Sequence, residues 1–393
     1  MKRCLVFILC LCLLLPMGGC GLFDRADYEL SDYSPVTEDE TLTDSVGYIS
    51  DYAALKRAIV WLVSEHEESA ELQFQNYDGN ISRDLSQACW EVKSSTPLGA
   101  FAVDYTSFDL SRIVSFYQAD VFITYKRSAE QVKQLERLTG LSAFRRRLTD
   151  ALAAGETYLV LQMTAASLTP ELVRDRVQKA YYADALHCPV LPEVEVSLYP
   201  DTGVERIAEI SLNYGQSADE LAALRKGLAA ACQALVGDLL PASASDEPSY
   251  EPAQPDADTL YTAAARLAAR CTEAPDGPNT AYEALTAGAA DSEGLAMAYE
   301  ALCGLLGADC QIVAGRLDNE AHFWNIVTLD GQSYHVDVGA DALFLVGDDD
   351  IWGRYWWDTA AYPACPQSYH YFGVPETGSA DLADAIPEGV TVG

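Results

Sequence analysis

Two runs of alternating residues, His322–Leu329 and Gln332–Val338, are joined by Asp330-Gly331, a strong signal for a two-residue hairpin. Such a loop sets the register: Leu329 faces Gln332, Ile326 faces His335, and Trp324 faces Asp337. Side chains alternate, so His322 shares the face of Trp324 and becomes a diagonal neighbour of Asp337. Diagonal Cα separations are about 7–8 Å, within reach of an imidazole–carboxylate hydrogen bond. A histidine oriented by an aspartate is two-thirds of a nucleophile-activating triad. The third member is expected at the N-terminus of a nearby helix, where the dipole favours an anion.

The elements around this hairpin read clearly. Leu260, Ala264, Leu267 and Cys271 recur at helical spacing, and a second helix starts near Asp291-Ser292. Leu295, Tyr299, Leu302 and Leu306 form one face of that second helix, and Gly307 is its stop. Cys310–Gly315 reads as a strand before the hairpin.

Four stretches in this order resemble the bacterial transglutaminase-like domain: Asn279-Thr280-Ala281-Tyr282-Glu283-Ala284-Leu285, Asp291-Ser292-Glu293-Gly294-Leu295-Ala296, Ala321-His322-Phe323-Trp324-Asn325 and Tyr334-His335-Val336-Asp337-Val338. Tyr362-Pro363-Ala364-Cys365 is similar to the tail of that domain in bacterial surface proteins. The resemblance covers 257–370 and implies a papain-like core, a Cys-His-Asp triad, and acyl transfer or amide hydrolysis. His322 and Asp337 match two triad members. The family's Cys-x-Gly-[Tyr/Phe]-Ala reads here Ser292-Glu293-Gly294-Leu295-Ala296, so Ser292 occupies the nucleophile position. Cys303 lies eleven residues on, about 16 Å along the helix, and does not substitute.

Ser292 has a plainer reading as a helix N-cap, its hydroxyl satisfying a backbone N–H. Cysteine attacks as a preformed thiolate, whereas serine needs a base to remove its proton during attack. The expectation is therefore a degenerate, non-catalytic domain serving peptide or protein binding or envelope structure. The competing reading is a Ser-His-Asp amidase, peptidase or acyltransferase. Trp324, Asn325 and Tyr282 are the candidates for lining the cleft, and Trp352, Trp356 and Trp357 read equally as groove or core. Asp348-Asp349-Asp350 lacks calcium-ligand spacing and reads as the start of a short helix carrying Trp352. His335 and His370 have no evident partner, and neither metal nor cofactor is expected.

Ahead of this part, 241–256 (PASASDEPSYEPAQPD) lacks any period and reads as a linker between two folded parts. The segment 47–240 reads as an α+β domain containing a repeat, 52–132 and 141–221. Tyr125-x-x-Ser128-Ala129-Glu130 recurs 89 residues later as Tyr214-x-x-Ser217-Ala218-Asp219. Phe74-Gln75 and Ile81-Ser82-x-x-Leu85 recur 87 later as Leu161-Gln162 and Leu168-Thr169-x-x-Leu172. Each copy reads helix, strand, helix, strand, strand, with Ser82 and Ser167 near helix starts. His66 and His187 stand alone and read as structural. The fold class expected for the chain is α+β.

The chain has 393 residues, 25 Lys+Arg and 59 Asp+Glu, for a net charge of −34. With no basic stripe to neutralise phosphates, nucleic acid is excluded as a partner. Lys2, Arg3, an apolar run from Cys4 to Leu15, then Met17-Gly18-Gly19-Cys20 form a signal segment ending in a lipobox-like site. In lipoproteins of that kind residues 1–19 are removed and Cys20 carries two acyl chains, enough for stable anchoring. The lipid bilayer is then the expected partner through Cys20, and the extracytoplasmic face of the cell membrane the expected location. Residues 20–46 read as an acidic tether and 371–393 as a tail. Eleven Cys include Cys4, Cys10 and Cys12 of the leader and Cys20. The other seven show no metal-ligand spacing.

Overall fold

The computed structural model describes residues 48–165, 168–240, 254–339 and 342–369. The leader, Cys20, the tether, most of the linker, Ser167, His370 and the tail lie outside the described residues.

The first 190 or so described positions hold one arrangement twice. Copy one runs α1 (Tyr52–Ser64), β1 (Ser69–Phe74), α2 (Ile81–Ser95), α3 (Pro97–Ala102), β2 (Val103–Ile113), β3 (Phe116–Tyr125) and α4 (Ala129–Lys133). After a short β4 (Leu135–Leu138), copy two runs α5 (Gly140–Ala154), β5 (Tyr158–Thr164), α6 (Pro170–Tyr182), β6 (Glu193–Tyr199), β7 (Glu205–Asn213) and α7 (Ala218–Val236). The strand orders correspond: β1-β3-β2 in one sheet and β5-β7-β6 in the other, with β4 added parallel to β5. The repeated Ser128 and Ser217 both close capping boxes, with Gln131 and Glu220. The second helices are capped by Asn80 and Thr169, and Ser82 lies inside α2. Caps 89 positions apart mean that the matches spaced by 87 had slipped by two residues.

The C-terminal part layers α8 (Ala257–Arg270), α9 (Ala281–Ala287) and α10 (Ser292–Leu306) on a five-stranded antiparallel sheet. Its strands are β10 (Asp309–Leu317), β11 (Glu320–Leu329), β12 (Gln332–Asp337), β13 (Leu343–Val346) and β14 (Tyr355–Trp356), in the order β13-β12-β11-β10-β14. Two-residue strands β8 (Thr272–Glu273) and β9 (Ala289–Ala290) pair in parallel just before α10. The whole is α+β. Asp330 and Gly331 take φ of 52° and 76°, the left-handed pair a type I′ hairpin turn requires. Leu329 pairs with Gln332 and Ile326 with His335.

The packing runs across the expected boundary. Copy one builds a core on Leu55, Ile59, Phe74, Leu85 and Phe101, which Val160 and Ile207 of copy two join from the other sheet. Copy two does not stop at the linker: Leu161, Val173, Leu221 and Leu228 share one core with Leu260, Leu267, Leu295 and Leu302. Gly227 of α7 lies so close to Tyr282 that a Cβ there would sit 2.7 Å from the phenol ring. Linker composition marks a break in the chain, but apolar faces on both sides of it still seek the same water-free contact.

Candidate active site

His322 Nε2 lies 2.7 Å from Asp337 Oδ2, and both residues are buried. β11 and β12 carry them as the hairpin register requires, although the β12–β13 pairing shifts at His335/Val336. Asp337 is held from two other directions. The Tyr355 hydroxyl donates to Oδ2 at 2.7 Å, and the Gly339 backbone N–H donates to Oδ1 at 2.8 Å. A buried carboxylate with this many donors is a fixed acceptor that sets the imidazole's orientation.

Ser292 is the first residue of α10 and not its cap. Asp291 caps the helix, accepting from the Gly294 N–H at 2.8 Å. The Ser292 hydroxyl oxygen instead accepts from the Phe323 backbone N–H at 3.2 Å, one residue beyond His322. Ser292 thus stands against the backbone of Phe323, the chain neighbour of His322, at the start of α10. Gly294 has a steric reason: a Cβ there would lie 2.5 Å from the Pro278 carbonyl, so the 277–279 loop could not press against the helix. Glu293 beside it accepts from Tyr182 Oη at 2.7 Å and Asn279 Nδ2 at 3.3 Å, and burial pushes its carboxyl upward.

A residue outside the sequence argument completes the site. Glu273 Oε1 stands 3.8 Å from His322 Nδ1, the nitrogen turned away from Asp337. Its other oxygen lies where a Cβ on Gly339 would come within 2.4 Å. Parallel pairing of β8 with β9 puts Glu273 beside the strand leading into Ser292. No spacing in Thr272-Glu273-Ala274 signals this. Each imidazole nitrogen thus faces a carboxylate, one at 2.7 Å and the other at 3.8 Å.

The cleft-lining candidates belong elsewhere. Trp324 and Asn325 are each 1% exposed. Asn325 Nδ2 donates to the Ala296 carbonyl at 3.0 Å, fastening α10 to the sheet. Tyr282 packs on Gly227 of α7. The open space near the site is a cavity of about 450 Å³, walled by Arg316, Phe323, Trp356 and Trp357 among others. Trp352 and Trp356 are exposed, so the tryptophans divide between core and surface.

His335 has two partners, contrary to expectation. Trp324 Nε1 donates to its Nδ1 at 3.0 Å, and Asp348 Oδ1 lies 2.9 Å from its Nε2. Asp348 opens α11 (Asp348–Ile351), the short helix before Trp352, and its Oδ2 accepts from the Cys365 N–H. The ligand atoms of His335, Asp348 and Cys365 lie within 4.8 Å of one another. They fit a metal poorly. The indole can only donate, so Nδ1 must accept and the proton sits on Nε2, where a metal would have to bind. Burial also pushes the Cys365 thiol up to about 12, away from the thiolate a metal needs. The other single histidines are likewise engaged: His66 reaches the Arg127 carbonyl and His187 reaches Asp184.

No protein-family model matches the sequence, and no curated protein matches it. Among solved structures the chain is similar to the "Crystal structure of a TGase", with TM-score 0.25 and 9% identity, over 56% of this chain and 60% of that one. It is also similar to "a Putative Cysteine Protease from Cytophaga hutchinsonii", with TM-score 0.22 and 12% identity, over 37% of this chain and 61% of that one. The chain thus spans about three-fifths of each of those chains. Among the described residues no helix is long and apolar enough to cross a membrane.

Proposed function

We propose that this is a lipoprotein anchored through Cys20, whose C-terminal part is a transglutaminase-like domain that has lost catalysis and serves peptide or protein binding at the cell envelope. The observation that carries the loss is the imidazole between two carboxylates. Serine attack requires His322 to take a proton from Ser292 Oγ. With Asp337 on Nε2, the nitrogen left to take that proton is Nδ1, and Glu273 Oε1 already stands 3.8 Å from it. The serine oxygen, for its part, already accepts from Phe323. The cavity beside Phe323, with exposed Trp356 and Arg316, is open for a ligand segment.

One observation favours the competing reading of a Ser-His-Asp amidase, peptidase or acyltransferase: Asp291 takes the capping duty, so the Ser292 oxygen is not needed as an acceptor for the helix N–H groups. A fluorophosphonate probe separates the two, since it reacts only with an activated serine. The expected result is no label on Ser292 of the native chain. Stoichiometric labelling there, abolished by His322→Ala, would make the protein an enzyme.

A further inference from the structure

The hairpins of the two copies of the N-terminal arrangement differ in length and in character. β2 runs 11 residues where its counterpart β6 runs 7, so the first copy carries the longer hairpin. Its turn is apolar and open: Val114 is 98% exposed, and Leu110, Ile113 and Tyr117 are exposed beside it. From Leu110 to Ala119 there is no acid, in a chain with 59 of them, and Arg112 stands over the Tyr117 ring. The equivalent turn in copy two reads Asp201-Thr202-Gly203-Val204-Glu205, acidic on both sides.

From this contrast we infer that the β2–β3 hairpin tip is a bilayer-contact surface, settling into the lipid interface and orienting the anchored protein. The inference rests on the reading of Cys20 as the lipid anchor. The chain's path supports the choice of occupant. Tyr48, 28 positions after Cys20, has its ring 6.3 Å from that of Phe116, so the tether joins the fold at this hairpin. Branched and aromatic side chains next to an arginine suit the headgroup boundary, where apolar groups bury about 5–10 Å deep and the guanidinium meets phosphates. A chain of net charge −34 is repelled by anionic lipid over most of its surface, and an acid-free tip is where close approach costs least.

The test uses the full acylated chain in vesicles of phosphatidylethanolamine and phosphatidylglycerol. Val114→Cys is labelled with an environment-sensitive nitrobenzoxadiazole dye, and Val204→Cys serves as the control on the other hairpin. The seven native cysteines of the described residues are buried and should not compete for label. The expected result is flotation with the vesicles, a blue-shifted dye at position 114, and quenching by acyl-chain-brominated lipid severalfold stronger than at 204. A floating chain whose two dyes are equally aqueous would overturn the inference and leave the anchor standing. A chain that does not float would remove the anchor and this inference with it.

Discussion

Glu273 Oε1 stands 3.8 Å from His322 Nδ1 while Asp337 Oδ2 holds Nε2 at 2.7 Å, so one imidazole lies between carboxylates from two separate parts of the chain. One of them, Asp337, comes from the hairpin that the sequence announces. The other comes from a two-residue strand 49 positions upstream of the histidine.

The first prediction concerns that second carboxylate. Removing an opposite charge at this distance lowers the pH at which an imidazole loses its proton. Glu273→Gln should therefore move the His322 titration, followed by NMR at the ring C2–H, to lower pH. An unchanged titration would mean that Glu273 is screened from the ring.

The second concerns the nucleophile position. Ser292→Cys would place a thiol at the N-terminus of α10 beside an imidazolium, and both stabilise thiolate. The new cysteine should react with iodoacetamide well below pH 8, and Asp337→Asn should slow that reaction by releasing His322. A thiol with ordinary alkaline reactivity would show that the constellation does not activate a nucleophile even when that nucleophile is sulfur.

The third concerns pH and stability. Glu300 on α10 is buried, accepts from the Ala185 N–H at 2.7 Å, and is pushed up to about 8, chiefly by desolvation with Asp184 adding to it. Its folded value lies above the model-compound value of 4.5, so its contribution to stability is fully present below about pH 4.5 and is lost as pH rises through 8. Glu300→Gln keeps an acceptor for Ala185 without the charge. It should flatten the urea-midpoint profile across this window and stabilise the protein at pH 8 by about 2–5 kcal/mol.

The fourth concerns the linker. Limited proteolysis should cut first in 241–256, as its Pro/Ser/Ala composition predicts. Because Leu221 and Leu228 share a core with Leu260 and Leu295, the nicked halves should stay together on gel filtration until denaturant is added. Separation of the halves in native buffer would contradict the shared core.

The fifth concerns the anchor. Cys20→Ala should shift the protein from the membrane fraction to the soluble one, or stall it with its leader attached. Normal processing with full membrane retention would remove the lipoprotein reading.

Much of this protein is determined by local sequence. Asp330-Gly331 sets the hairpin because only a left-handed pair turns a strand so tightly, and that register alone brings His322 to Asp337. The spacing from Leu295 to Leu306 defines α10, and Ser128 and Ser217 announce their helices through capping boxes. These signals operate within a turn or two of chain, where steric and hydrogen-bonding rules act on neighbours. Tertiary structure decided the rest. It brought Glu273 to His322 through a parallel pairing with no sequence signature, set the Ser292 hydroxyl against the Phe323 N–H, and buried Trp324 and Asn325. It also joined copy two to the C-terminal helices across a linker that looked like a domain boundary. In each case the outcome depended on which distant surfaces excluded water from one another, and local periodicity carries no record of the partner.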